Sequence, residues 1–219
     1  MSDLEPIQKV TALITRDTPQ GRQLLLFYRP DDRMTQLPAG TVEDGEAIEV
    51  ALLREVAEET GLTAVRIVRK LAATWQPLAP DARVLLENHR LQESPADDSP
   101  GDLLLHRGMT VYVREAQGDW TRARYRAWEY DPETKRISIN WEREGWLPSA
   151  ILTDRALRHF YHLTPTEPTA ERWIVHDVAS HGRALELHWV LLHGESGLLP
   201  LQESWVAPYR EALSEAISI

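Results

Sequence analysis

The chain has 219 residues, 42% of them hydrophobic, enough to fill the core of a single domain spanning residues 1–219. Its formal net charge of −10 argues against capture of a nucleic-acid duplex, which needs a basic face, but is compatible with a small phosphate-bearing ligand reached through a divalent cation. The absence of cysteine excludes disulfides, thiolate metal sites and cysteine nucleophiles, and no apolar run reaches the length of about 18 residues that a membrane helix needs.

The start, Met1-Ser2-Asp3-Leu4-Glu5-Pro6, lacks the basic and apolar regions of a signal peptide, so a soluble, cytoplasmic protein with no membrane partner is expected. Residues 7–15 and 23–28 are rich in β-branched, leucine and aromatic side chains and flank a turn-forming cluster, which predicts two strands joined by a loop. Arg29-Pro30-Asp31-Asp32 ends the second strand, because proline cannot donate to a ladder. A helix is expected from about Glu46 to Thr60, with Asp44 as N-cap and Gly61 as the residue just past its end. Residues 63–75 read as a strand, and residues 76–108 read as loop around a short element at 83–91. Strands resume at 109–114, 123–130 and 136–140, the last two as a hairpin, and again at 156–163, 172–178 and 184–192. Apolar residues at helical intervals over 201–217 predict a terminal helix.

Projected at 100° per residue, Val50, Leu53, Val56, Ala57 and Thr60 share one side of the central helix, with Leu52 at its margin. Glu55, Glu58 and Glu59 then fall on nearly the opposite side. Three carboxylates so close repel one another by a few tenths of a kcal/mol per pair, and a divalent cation would remove that repulsion. The bland alternative is a solvated acidic face, partly neutralised by an ion pair between Arg54 and Glu58.

The spacing decides between them. Gly40, five residues, Glu46, seven residues and then Arg54-Glu55-Val56-Ala57-Glu58-Glu59-Thr60-Gly61-Leu62 resembles the complete signature of the Nudix family. With each fixed residue expected at roughly 5 to 7%, a chance match is on the order of one in a million. The resemblance implies an α/β fold, an α/β/α sandwich on a mixed sheet, and metal-dependent hydrolysis of a nucleoside diphosphate linked to another moiety, X. It implies Mg²⁺ or Mn²⁺ held by Glu55, Glu59 and Glu58, with the main-chain carbonyl of Ala39 as a further ligand where the family often has glycine. It also implies an orienting role for Arg54 and supporting roles for Gly40, Glu46 and Glu43. Residues 76–150 exceed what a minimal domain of this kind requires and are expected to be an insertion.

Tyr28 and Arg29, at the strand end before the signature, are candidate substrate contacts, arginine being suited to bidentate phosphate binding. Glu142, Glu144, Glu167 and Glu171 are candidates for a further acid, with Glu171 favoured for its place beside a Thr/Pro loop. Among the eight tryptophans, Trp75, Trp173 and Trp189 read as structural, whereas Trp120, Trp128, Trp141 and Trp146 are positions for a substrate platform or a homodimer contact. The histidines show no metal-motif spacing. The alternative from another class is a nucleotide-binding sensor module that does not hydrolyse its ligand, which would be expected to lack one or more of the signature carboxylates.

Overall fold

A computed structural model describes residues 5–131, 133–134, 136–177 and 182–215. The elements are β1 (Ile7–Thr18), β2 (Gly21–Arg29), β3 (Met34–Gln36), β4 (Ala39–Thr41), α1 (Ile48–Thr60) and β5 (Val65–Trp75). They continue with β6 (Ala82–Leu85), β7 (His89–Gln92), β8 (Gly101–Leu105), β9 (Thr110–Gln117), β10 (Trp120–Asp131), β11 (Arg136–Pro148) and β12 (Leu152–Thr153). Last come β13 (Ala156–Pro165), β14 (Arg172–Asp177), β15 (Arg183–Leu191), α2 (Pro200–Val206) and α3 (Arg210–Ser214).

These form two sheets. The first, of eight strands, runs β14-β15-β2-β1-β13-β5, with β3 on β2 and β4 on β1. It is mixed, because β1 pairs with β13 in parallel and with β2 and β4 antiparallel. The alternation of a strand sorts its leucines between two cores. Leu25 and Phe27 of β2 join Val10, Ala12 and Ile14 under α1, while Leu24 and Leu26 join Leu13 in the layer with Val206 and Leu213 of α2 and α3. The fold is thus α/β, with helices on both faces of a mixed sheet.

The second sheet, of seven strands in the order β12-β6-β9-β10-β11-β7-β8, comes wholly from the chain between β5 and β13 and has its own core of Leu85, Leu91, Leu105, Val111, Ala123 and Leu147. The loop expected over 76–108 is therefore corrected to three strands, β6 to β8. Their short length and adjacent turns conceal the alternating pattern on which a strand assignment relies.

Two further expectations change. The terminal helix is interrupted by a tight turn at Ala207–Tyr209, since Pro208 cannot supply the next helical N–H, and its expected end at 216–217 lies outside the described residues, as does Val178 of the strand over 172–178. The central helix begins at Ile48 with Ala47 at its cap position and no side-chain cap bond, so Asp44 is not its N-cap. Gly61 does close it, in the left-handed conformation, donating its N–H to Ala57 O at 2.9 Å. No helix among the described residues is long and apolar enough to cross a membrane.

Candidate active site

The packed face of α1 differs from the projected one. Ala51, Leu52, Val56 and Thr60 are buried, whereas Val50 is 58% and Leu53 40% exposed. At 100° per residue, Glu55 and Glu59 fall inside the arc between Ala51 and Leu52. The three glutamates do not stand together on the solvent side. Glu55 and Glu59 lie on the inward side, turned toward β4, and Glu58 is left at the margin. Counting only apolar residues misplaced the stripe, because this helix turns two carboxylates toward the body of the protein and two large aliphatics to water.

What permits this is local. A Cβ on Gly40 would come within 1.8 Å of the Glu55 carboxyl carbon, so the carboxylate occupies space that any other residue would fill. One position earlier, the Ala39 N–H donates to Glu59 Oε2 at 2.8 Å. Arg54 binds most of the acids. Its Nε and Nη2 donate to Glu46 at 2.9 Å, Nη1 to Glu55 at 2.9 Å and to Glu58 at 3.2 Å, and Nη2 also to Thr41 O at 3.1 Å. The Arg54–Glu58 pair expected of a merely solvated face is thus present, as one arm of a larger fork. Glu46 in turn accepts the Glu43 N–H at 3.0 Å and closes the loop ahead of the helix.

The same contacts set the electrostatics. The Arg54 hydrogen bond holds the Glu46 carboxyl below the usual range. Burial pushes Glu55 up, against the opposing pull of Arg54.

A cleft of about 1040 Å³ opens beside this network. Its walls are the signature loop, Trp205 and Gln202 of α2, and two loops of the second sheet carrying Asn88 and His106 to Met109. Those loops are fastened to the signature. Arg107 Nε donates to Val42 O at 3.1 Å, and Lys9 Nζ donates to Gly108 O at 2.8 Å. Gly108, at φ +83, lies so near Thr41 that a Cβ would come within 2.1 Å of its hydroxyl. The cleft floor includes Lys9 and Arg158. Burial, with the neighbouring Arg158 second, lowers the Lys9 ammonium to about 7, and burial lowers the Arg158 guanidinium to about 10.

Of the residues singled out from sequence, Ala39, Gly40, Glu43, Arg54, Glu55 and Arg29 line the cleft. Arg29 also pairs with Asp32 at 3.2 Å. Tyr28 is not among the lining residues. Glu171 pairs with Arg16 at 2.5 Å, is 79% exposed and, with Glu167, borders a different depression. Glu142 and Glu144 are engaged by Arg124 in the second sheet. Trp173 donates to Thr60 O at 2.7 Å and Trp189 to Ala170 O at 3.1 Å, both as structural ties, while Trp75 is 55% exposed with Arg155 over its ring. Trp120, Trp128, Trp141 and Trp146 belong to β10 and β11 and do not border the cleft. His159 and His162 are buried and hydrogen-bonded to Gln8 and Thr15, and His181 lies outside the described residues.

The cleft residues that sequence reading missed include Lys9, Arg158, Arg107, Gln202 and Trp205. For two of them a signal existed: Lys9 and Arg158 each place a cation in a strand most of whose residues are buried.

The described residues contain no ready-formed cluster of three or more metal-ligating side chains, consistent with Arg54 occupying the acids. The residues that the signature nominates as metal ligands would suit a hard cation. Glu55, Glu58, Glu59 and the Ala39 carbonyl offer only oxygen, and Glu55, whose carboxyl is pushed up by burial, would gain from added positive charge.

Comparison with known proteins is concordant. The family model described as the NUDIX domain matches residues 7–121, more than half of the chain. The ADP-ribose pyrophosphatase of Bacillus subtilis (strain 168) is 34% identical over 89 residues, covering 35% of this chain and 48% of that protein. The putative 8-oxo-dGTP diphosphatase of the same organism is 44% identical over 45 residues, covering 20% of this chain and 30% of its own length. The chain thus spans about half or less of the curated relatives it matches. The C. elegans Ap4A hydrolase crystal structure overlays 96% of this chain and 92% of its own at 13% identity, with a TM-score of 0.37.

Proposed function

The chain belongs to the Nudix family, and on that premise we propose that it is a divalent-metal-dependent pyrophosphohydrolase cleaving a nucleoside diphosphate linked to another moiety. The observation that carries the reading is the Arg54 fork, which gathers Glu46, Glu55 and Glu58 at the edge of a nucleotide-sized cleft.

Glu55, Glu59 and Glu58, with the Ala39 carbonyl, would hold Mg²⁺ or Mn²⁺. When bound, the ion supplies charge neutralisation at the phosphate oxygens and a lowered pKa for the attacking water. Arg54 orients the acids, and Glu46 fixes Arg54 and the loop before the helix. Attack is in line. The water oxygen forms a bond to one phosphorus, the bridging phosphorus–oxygen bond breaks, and the released proton passes to a carboxylate, for which Glu55 faces the cleft. Arg29, at the cleft mouth, is placed to contact substrate phosphate.

The test is turnover of a panel of such compounds with Mg²⁺ and Mn²⁺, beginning with ADP-ribose and 8-oxo-dGTP because two relatives carry those names. Glu59→Gln should lose activity with its melting curve unchanged. Wild-type rates in that variant would reject the assignment, and nucleotide binding without turnover by the wild type would make the protein a binding module.

A further inference from the structure

Two cations in the cleft are left unused by the chemistry above. Lys9 and Arg158 are register partners across the parallel pair β1 and β13, so their side chains leave the sheet on the same side. Both border the cleft.

Their partners are neutral. Lys9 Nζ donates to Gly108 O. Arg158 donates to Thr11 Oγ1 at 2.8 Å, Val10 O at 3.3 Å and Gln76 Oε1 at 3.4 Å, and its guanidinium lies 4.3 Å from the centre of the Trp205 ring. Among the described residues neither cation forms an ion pair, whereas Arg54 and Arg124 each pair with more than one carboxylate. Arg158 is only 7% exposed, and its Nε is buried with no acceptor. Glu55, the acid whose field reaches Lys9, is already engaged by Arg54.

Burying a charge without a counter-charge is costly, and placing two like charges side by side adds repulsion. Packing alone would be served better by neutral residues at both positions. The cost is recovered when an anion enters. Arg107, whose guanidinium donates to the main-chain carbonyls of Val42 and Leu86 and to no carboxylate among the described residues, adds a third positive group at the cleft.

We propose that Lys9 and Arg158 form an anion-binding floor of the cleft that takes a phosphate group of the bound nucleotide. The role is one of binding and positioning, and it rests on the reading of the protein as a nucleotide hydrolase. It makes substrate affinity depend on residues from two strands outside the signature.

The probe is inorganic pyrophosphate, titrated calorimetrically into the full chain in EDTA so that no metal-bridged contact contributes. The wild type should bind with an affinity that falls with added salt. Lys9→Met and Arg158→Gln should each weaken binding about tenfold and flatten the salt dependence, a change that a merely structural role would not produce. Thermal melts identify a variant that fails to fold; if Arg158→Gln does so, Lys9→Met decides. Lys9→Met binding within about twofold of wild type, or no pyrophosphate binding by the wild type, overturns the proposal. Turnover is scored separately. Hydrolysis with pyrophosphate binding unchanged in both variants rejects the floor alone, whereas the expected binding losses without turnover of any compound by the wild type keep the floor and reject the hydrolase.

Discussion

The Glu55 carboxyl group fills the space that a side chain on Gly40 would occupy, 1.8 Å from where the missing Cβ would stand. The glycine is therefore a requirement of packing between strand β4 and helix α1. Gly40→Ala must displace Glu55 or the loop, at a cost of about 1–3 kcal/mol. Loss of turnover together with a lowered melting temperature is expected; a fully active, equally stable variant would show that Glu55 is not fixed in this position.

Arg54 divides its donors among Glu46, Glu55 and Glu58. Arg54→Gln removes the charge that offsets the half-buried Glu55 and is expected to cost about 1–3 kcal/mol, with Glu58 adding little because its side chain is 43% exposed. Arg54→Lys keeps the charge but not the planar fork, so it should recover stability before it recovers activity. Denaturant melts and turnover of the same samples separate the two effects.

The corrected face of α1 makes a direct comparison. Leu52 is 1% exposed and Val50 58%. Leu52→Ala should cost about 2–5 kcal/mol and Val50→Ala no more than about 0.5. Equal losses in denaturant melts would restore the face inferred from apolar spacing.

His162 is buried against Thr15, and its pKa is pushed down to about 4, first by burial and then by the fields of Arg22 and Arg69, with Asp17 opposing. The folded value lies below the unfolded one, so the neutral ring is the form that folding favours. Its contribution is complete above pH 6.5 and is lost as pH falls toward 4, by an amount on the order of 3 kcal/mol. Melts across that window should show the slope, and His162→Gln should flatten it.

Gly108 joins the second sheet to the signature loop. An alanine there would meet a left-handed backbone at φ +83 and the hydroxyl of Thr41. The backbone term alone is about 1–2 kcal/mol, so Gly108→Ala should lower the melting temperature by roughly 5 °C or more and weaken substrate binding before it affects the chemical step. An unchanged KM would separate this contact from the cleft.

Some of this was legible in the chain itself. Gly40, Glu46, Arg54, Glu55, Glu58 and Glu59 are close in sequence, and one loop and one helix bring most of them together, so their spacing carries the family and the chemistry it implies. The near-continuous apolar runs of β1 and β2 likewise mark strands buried on both faces, and Gly61 marks the end of the helix. The face of α1 was not legible, because apolar periodicity assumes that carboxylates avoid the interior, and here Arg54 and the space at Gly40 bring one inward. Nor was the rest of the cleft. Lys9 and Arg158 stand 149 positions apart and become neighbours only through the parallel pairing of β1 with β13. Arg107, Gly108 and Trp205 reach the same cleft from a second sheet and a C-terminal helix. Local spacing identified the family and, through it, the reaction proposed for the chain; long-range strand pairing, which no local pattern encodes, decided which charges and surfaces line the cleft.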